Sequence, residues 1–296
     1  MISVRIEETL LKSSTRKSLL RNQKAVNERL LGDSKSDLDA KWKSWRRTKA
    51  ANEVHSLLQT VSAGKSLCCY CEHDRAVQIE HIFNKKLFPQ RTFAFSNHLL
   101  VCPTCNNRKL DAFAVFEGDT GLAIRFFEKS APRVAPPTEL SVFIDPRNED
   151  PMDYFWLNLS TGFFDIHRKA TPRKSKMAEY TRDLLEMNTS KEFVGIRASA
   201  VDQYLEILRK YVGCRNSSSI EELVQYFPTR YVPIDTGFSL EEAKEIGQKH
   251  WTEELGRNHF PTIWLEMKRQ YNFNPTVFLR LYPEIAKVLQ MVPELL

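Results

Sequence analysis

Two pairs of cysteines stand where a metal ion would need them. Cys68 and Cys71 form one C-x2-C pair, and Cys102 and Cys105 form a second. Two such knuckles separated by a loop present four thiolates tetrahedrally to Zn2+, at ~2.3 Å from each sulfur. Four protein ligands leave no open coordination position, so the expected zinc is structural. Its binding can contribute on the order of 10 kcal/mol to folding a small module. Cys69 lies inside the first knuckle without a partner at the right spacing and reads as a bystander. Two pairs at ribbon-like spacing argue against a redox C-x-x-C site.

Between the knuckles runs a second set of chemical groups. Gln78-Ile79-Glu80-His81-Ile82 reads as a short strand carrying an acid beside an imidazole. Asn97 precedes the apolar run Leu99-Leu100-Val101, and Asn106 follows Cys105 directly, with Lys109 three residues later. A lone Glu-His pair is ordinary on a surface strand. The ordered set C-x2-C, Glu-His, Asn, C-x2-C-Asn-x2-Lys is far more restrictive, and at these residues the chain resembles the HNH nuclease family. Members of that family build a ββα unit around one divalent metal. The resemblance implies that Glu80 and Asn106 are ligands of a catalytic Mg2+ or Mn2+, that His81 is the general base, and that Asn97 braces the intervening loop. Asn106 stands where His is the alternative, and Glu80 where Asp is more frequent, one methylene longer.

The chemistry is self-consistent. Carboxylate and amide oxygens are hard donors suited to Mg2+ or Mn2+, which keeps waters and binds substrate phosphate. A neutral histidine, with an ordinary pKa near ~6.5, accepts a proton from an attacking water near neutral pH. The products expected are a 5′ phosphate and a 3′ hydroxyl. Neighbours on a regular strand point to opposite faces, so Glu80 and His81 can meet one phosphate only where the strand ends or bulges. Lys85, Lys86, Arg108 and Lys109 are candidate phosphate contacts, and His73 and His98 read as structural.

The surrounding elements must position these groups. Residues 36–63 read as one helix, with Leu38, Trp42, Trp45, Val54, Leu57, Leu58 and Val61 on its apolar face, Ser36 as cap and Gly64 as stop. Its opposite face carries Lys41, Lys43, Arg46, Arg47 and Lys49, and a shorter amphipathic segment spans Leu10 to Leu31. Residues 1–66 hold 14 Lys/Arg against 7 Asp/Glu, more than the whole chain's net excess of +6. Clustered positive charge attracts phosphates and releases their counterions, so Arg46 and Arg47 join the candidate nucleic-acid contacts. Downstream come a Pro-rich connection at 131–137 and two strands, Tyr154–Leu159 and Phe163–His167, turning through Ser160-Thr161-Gly162. Helical periodicity follows at 174–188 and 191–212, then a linker at Gly213–Ser219, then helices near 219–227, 239–255, 261–271 and 275–291. The fold class expected is α+β and mostly helical, with a small zinc-stapled ββα-metal module inside a larger helical protein. The divisions expected are 1–66, a basic helical arm; 67–117, the module; 118–213, its extension; and 214–296, a helical region for partner binding.

No run approaches the ~20 apolar residues of a membrane span, and the first residues lack the pattern of a signal peptide. A cytoplasmic protein is therefore expected. The run FIDPRNEDPMDYFWLNLSTGFF, with the basic segment and the LLEMN helix after it, resembles the region following the module in HNH nucleases of retron and Septu-type anti-phage systems. That resemblance covers roughly residues 60–212 and implies an ATPase protein partner and DNA as substrate, with RNA not excluded. Two other readings predict different things. A zinc-ribbon adaptor that binds nucleic acid without cutting it would make Glu80 and His81 dispensable. A purely structural zinc staple would show no affinity for nucleic acid. His167, His250 and His259 are isolated and read as packing or surface residues.

Overall fold

A computed structural model describes residues 1–31, 38–60, 66–73, 76–117, 121–127, 135–227, 237–257, 260–274 and 276, with Arg29 and Leu31 described by backbone alone. The expected cap Ser36, Val61, the stop Gly64, residues 131–134, His259 and nearly all of the 275–291 helix lie outside the described residues. The described chain is mostly helical, with small two-stranded sheets. It divides into two compact units. One comprises Met1–Trp156 and Phe164–Phe193; the other comprises Leu157–Phe163 and the described residues from Val194 onward.

In the first unit, α1 (Ser13–Leu31), α2 (Leu38–Trp45) and α3 (Lys49–Gln59) replace the two amphipathic segments expected. The single helix over 36–63 is broken at Arg46–Thr48. Thr48 turns to extended backbone and its hydroxyl accepts the Ala51 N–H at 3.3 Å, an N-cap that starts α3 afresh. The apolar positions do face inward as the periodicity requires: Trp42, Trp45, Val54 and Leu58 are all buried. These helices therefore pack within the same unit as the cysteine knuckles rather than standing apart as an arm.

The knuckle region folds as an antiparallel hairpin followed by a helix. Strand β1 (Gln78–His81) pairs with β2 (His98–Val101) in the register Gln78↔Val101, Ile79↔Leu100, Glu80↔Leu99 and His81↔His98. Cys102 follows β2 and caps α4 (Pro103–Lys109), its sulfur accepting the Cys105 N–H at 3.4 Å. Pro103 at the first helical position has the φ a helix needs and no N–H to leave unpaired. The first knuckle is tied to β2 by the Cys69 N–H on Leu100 O at 3.0 Å, and it turns through Glu72, which adopts the left-handed φ of 64°. A second hairpin, β3 (Phe113–Glu117) with β4 (Ala123–Phe127), was not expected from the sequence. The third, β5 (Phe155–Leu157) with β6 (Phe164–Ile166), was. The turn residues, which belong to the other unit, close where Asn158 Oδ1 accepts the Ser160 and Thr161 N–H groups and Gly162 takes a φ of 72°. Helix α5 (Pro172–Leu184) completes this unit.

The second unit is built on α6 (Lys191–Asn216, from Val194), α7 (Ile220–Val224), α8 (Leu240–Arg257) and α9 (Pro261–Phe273). The segment Gly213–Ser219 is not a linker. Helix α6 runs through its first four residues, Cys214 and Ser217 are buried, and Ser219 caps α7. Its small residues serve close packing: a side chain at Gly213 would strike the Tyr226 ring, and one at Gly247 would strike Phe227 and Cys214. Composition alone cannot separate small residues in a loop from small residues in a tight helix contact.

Candidate functional site

The four sulfurs of Cys68, Cys71, Cys102 and Cys105 lie within 4.8 Å of one another, all buried, in a set able to hold a metal ion such as zinc. Within the cluster, hydrogen bonds from Cys105, Cys68 and Cys71 hold the Cys102 thiol far below its ordinary pKa, toward the thiolate that a metal takes. The reciprocal bonds and burial push Cys105 up. Cys69, 1% exposed, behaves differently: burial pushes its thiol up to about 12, and it stays a neutral hydrophobe outside the set. Cys214 is a buried thiol of the other unit.

Asn97, 1% exposed, is a brace. Its Oδ1 accepts the Phe83 N–H at 2.8 Å, and its Nδ2 donates to Phe83 O at 3.0 Å and Arg91 O at 3.1 Å. One side chain thus ties the start of the loop after β1 to its return into β2. Asn97→Ala would leave the buried Phe83 N–H and the Phe83 carbonyl without partners, while Arg91 O keeps the Ala94 N–H at 3.2 Å. It is expected to cost about 3 kcal/mol, read as a lowered midpoint in urea, because each unsatisfied buried group costs ~1–3 kcal/mol.

That loop carries the Thr92 carbonyl to two imidazoles. His81 Nε2 lies 3.0 Å and His98 Nε2 2.9 Å from Thr92 O. A carbonyl only accepts, so both Nε2 atoms carry the proton, and in the neutral ring Nδ1 is then the basic nitrogen. Burial lowers the pKa of His81 well below the ordinary value, with His98 the next cause, so the ring is neutral at physiological pH. The Trp42 ring lies edge-on to it at 4.4 Å between centroids. Neither Thr92 nor the covering role of Trp42 was legible in the sequence, since a carbonyl has no side-chain signature and Trp42 looks like any helix-face aromatic. His98, which the sequence reading left as structural, is fully buried with Nδ1 unpartnered.

Burial lowers the His98 pKa to about 4. Its folded value therefore lies below the unfolded ~6.5, and between the two the unfolded chain binds the extra proton. Stability is fully present above pH 6.5 and falls as pH drops toward 4, with His81 acting in the same direction. His98 alone is expected to remove about 2 kcal/mol by pH 5. Chemical denaturation at pH 7 and pH 5 checks this; His98→Gln should flatten the dependence.

On β1 the ladder stays regular to its last residue, His81, so of the two expected alternatives the strand ends here rather than bulging, and Glu80 and His81 leave on opposite faces. Glu80 turns to α4. Its Oε1 accepts from Lys109 Nζ at 2.9 Å, and the same ammonium donates to His81 O at 2.8 Å. Asn106 sits on the same side of β1, its Nδ2 donating to Gln78 Oε1 at 2.6 Å. Glu80 and Asn106 therefore share the β1–α4 face, while the His81 ring is across the strand. Their direct convergence with His81, expected from the sequence, is not present. The donor set still fits a hard divalent cation: a carboxylate from Glu80 and an amide oxygen from Asn106, an oxygen for which no protein hydrogen bond exists among the described residues.

The expected phosphate contacts divide. Lys109 is 1% exposed and cannot meet a phosphate in this arrangement, because the β1 carboxylate draws it inward. Arg108 pairs with Glu186 at 2.9 Å and donates to Leu185 O. Lys85 pairs with Asp39 at 3.0 Å and Lys86 with Asp111. Arg46 and Arg47, in the turn before α3, are exposed and free of ion pairs among the described residues. No helix among the described residues is long and apolar enough to cross a membrane. No protein-family model matches the chain, and no curated protein matches it in sequence.

Proposed function

We propose that the chain is a metal-dependent nuclease of the HNH type. In this reading β1, β2 and α4 form the ββα unit, a zinc ion on the four cysteines staples it, and DNA is the substrate. The observation that carries the reading is the tautomer of His81. The Thr92 carbonyl accepts the hydrogen bond of its Nε2–H and burial keeps the ring neutral, which leaves Nδ1 as the basic nitrogen, of fixed orientation, at the end of β1. The fixed Nε2–H makes Nδ1 the atom that would accept the proton of a water attacking a phosphodiester.

Asn97 holds the loop that carries Thr92, so the brace and the base form one assembly. Glu80 and Asn106, on the face of β1 opposite the His81 ring, would hold Mg2+ or Mn2+, which would supply charge neutralisation at a phosphate. Arg46 and Arg47 offer exposed charge to the phosphate backbone. The defence-system setting, with an ATPase protein partner, stays part of this proposal on the strength of the sequence resemblance alone. Supercoiled plasmid incubated with zinc-loaded protein tests the activity. Mg2+ or Mn2+ should support relaxation to nicked circles with 5′ phosphate and 3′ hydroxyl ends, and a buffer free of both should not.

A second reading has its own support. The buried Glu80–Lys109 pair and the near-complete burial of His81 suit a zinc-stapled adaptor that binds nucleic acid without cutting it. On that reading Glu80→Gln and His81→Ala leave every nucleic-acid property unchanged.

A further inference from the structure

Lys109 is the most deeply buried charged group beside the proposed metal donors. Its side chain is 1% exposed and that of Glu80 9%. A lysine ammonium has three protons to place. Two go to Glu80 Oε1 and His81 O, and the third side of the ammonium faces the Phe143 ring at 5.5 Å from its centroid. A monovalent cation thus sits against one carboxylate and one backbone carbonyl, both hard oxygens.

We propose that Lys109 is the resident cation of the Glu80 site, so that a divalent ion binds only by displacing its ammonium. The inference rests on the nuclease reading and concerns how that site is loaded. The Glu80 carboxylate is nearly enclosed, and the Lys109 ammonium at 2.9 Å is the cation it faces. When Mg2+ or Mn2+ enters, Glu80 changes partner and the ammonium is released from its carboxylate. The released ammonium, on a long flexible stem at the end of α4, is then available to a phosphate oxygen. This explains how a lysine with the sequence position of a phosphate contact is found buried. Loading with metal and exposing Lys109 are one event, and the metal affinity is reduced by the competition.

Two measurements on zinc-loaded protein test this. In the first, wild type is treated with N-acetoxysuccinimide with and without Mg2+, and acetylation of Lys109 is read by mass spectrometry. Protection without Mg2+ and modification with it are expected. In the second, the electron paramagnetic resonance signal of free Mn2+ is followed through titrations of wild type, Lys109→Met and Glu80→Gln. Removing the competitor is expected to tighten Mn2+ binding at least ~10-fold in Lys109→Met, and losing the carboxylate should abolish it in Glu80→Gln. Lys109→Met is also expected to melt lower than wild type without Mn2+ and to recover with it. Mn2+ binding that depends on Glu80 while Lys109 stays protected would overturn the inference and leave the metal site standing. No Mn2+ bound by any form would overturn both.

Discussion

Stripping the metal from the four-cysteine cluster is expected to unfold the knuckle region outright. The sulfurs of Cys68, Cys71, Cys102 and Cys105 bring together the turn before β1 and the junction of β2 with α4. Structural zinc in small modules contributes ~10–16 kcal/mol of apparent binding free energy, as much as or more than the ~5–15 kcal/mol by which whole domains are stable. Cys102→Ser should be the most damaging substitution, because that sulfur also accepts the Cys105 N–H that starts α4. Cys69→Ser makes the matched comparison: it alters a buried neutral thiol outside the cluster and should leave zinc stoichiometry at one per chain. Zinc content by elemental analysis and the thermal melting curve read both. Equal zinc retention in Cys102→Ser and wild type would dismiss the staple.

The second large effect is the one the proposed nuclease reading places on DNA cutting. Taking away a general base removes ~10²–10⁴-fold of rate, so His81→Ala should nick plasmid at least ~100-fold more slowly than wild type. The substitution also leaves a cavity beside Trp42, so its zinc content and melting point must be measured alongside the rate. Asn97→Ala makes a useful contrast. It loosens the loop that presents the Thr92 carbonyl, and should lower both stability and rate, whereas His81→Ala should act mainly on rate.

How much of this was legible in the residues follows from what side chains can and cannot announce. The cysteine set was, because thiol spacing has few other uses, and Cys69 stood outside the pattern. The bracing role of Asn97 came from the family resemblance, since its place ahead of the β2 run alone does not announce it. Lys109 was read as a candidate phosphate contact, and its burial was not legible because helical position says nothing about a carboxylate across the gap; here Glu80 pulls it inside. The break between α2 and α3 escaped notice because Arg46, Arg47 and Thr48 interrupt neither the apolar spacing nor the charge pattern, and only the cap on Ala51 marks the new start. Gly213 and Cys214 read as linker for the opposite reason: smallness there serves packing against Tyr226 and Gly247. The β3–β4 hairpin was lost because Phe113–Phe116 is a continuous apolar run without alternation.

The histidine at the end of β1 decides between a nuclease and a binding module. The most direct measurement compares wild type and His81→Ala, matched for zinc content and melting point, on supercoiled plasmid with Mg2+. Relaxed circles from wild type and intact supercoils from the variant are expected. Equal cutting by the two proteins would contradict a hydrolytic role for His81 and leave the region as a zinc-stapled binding module.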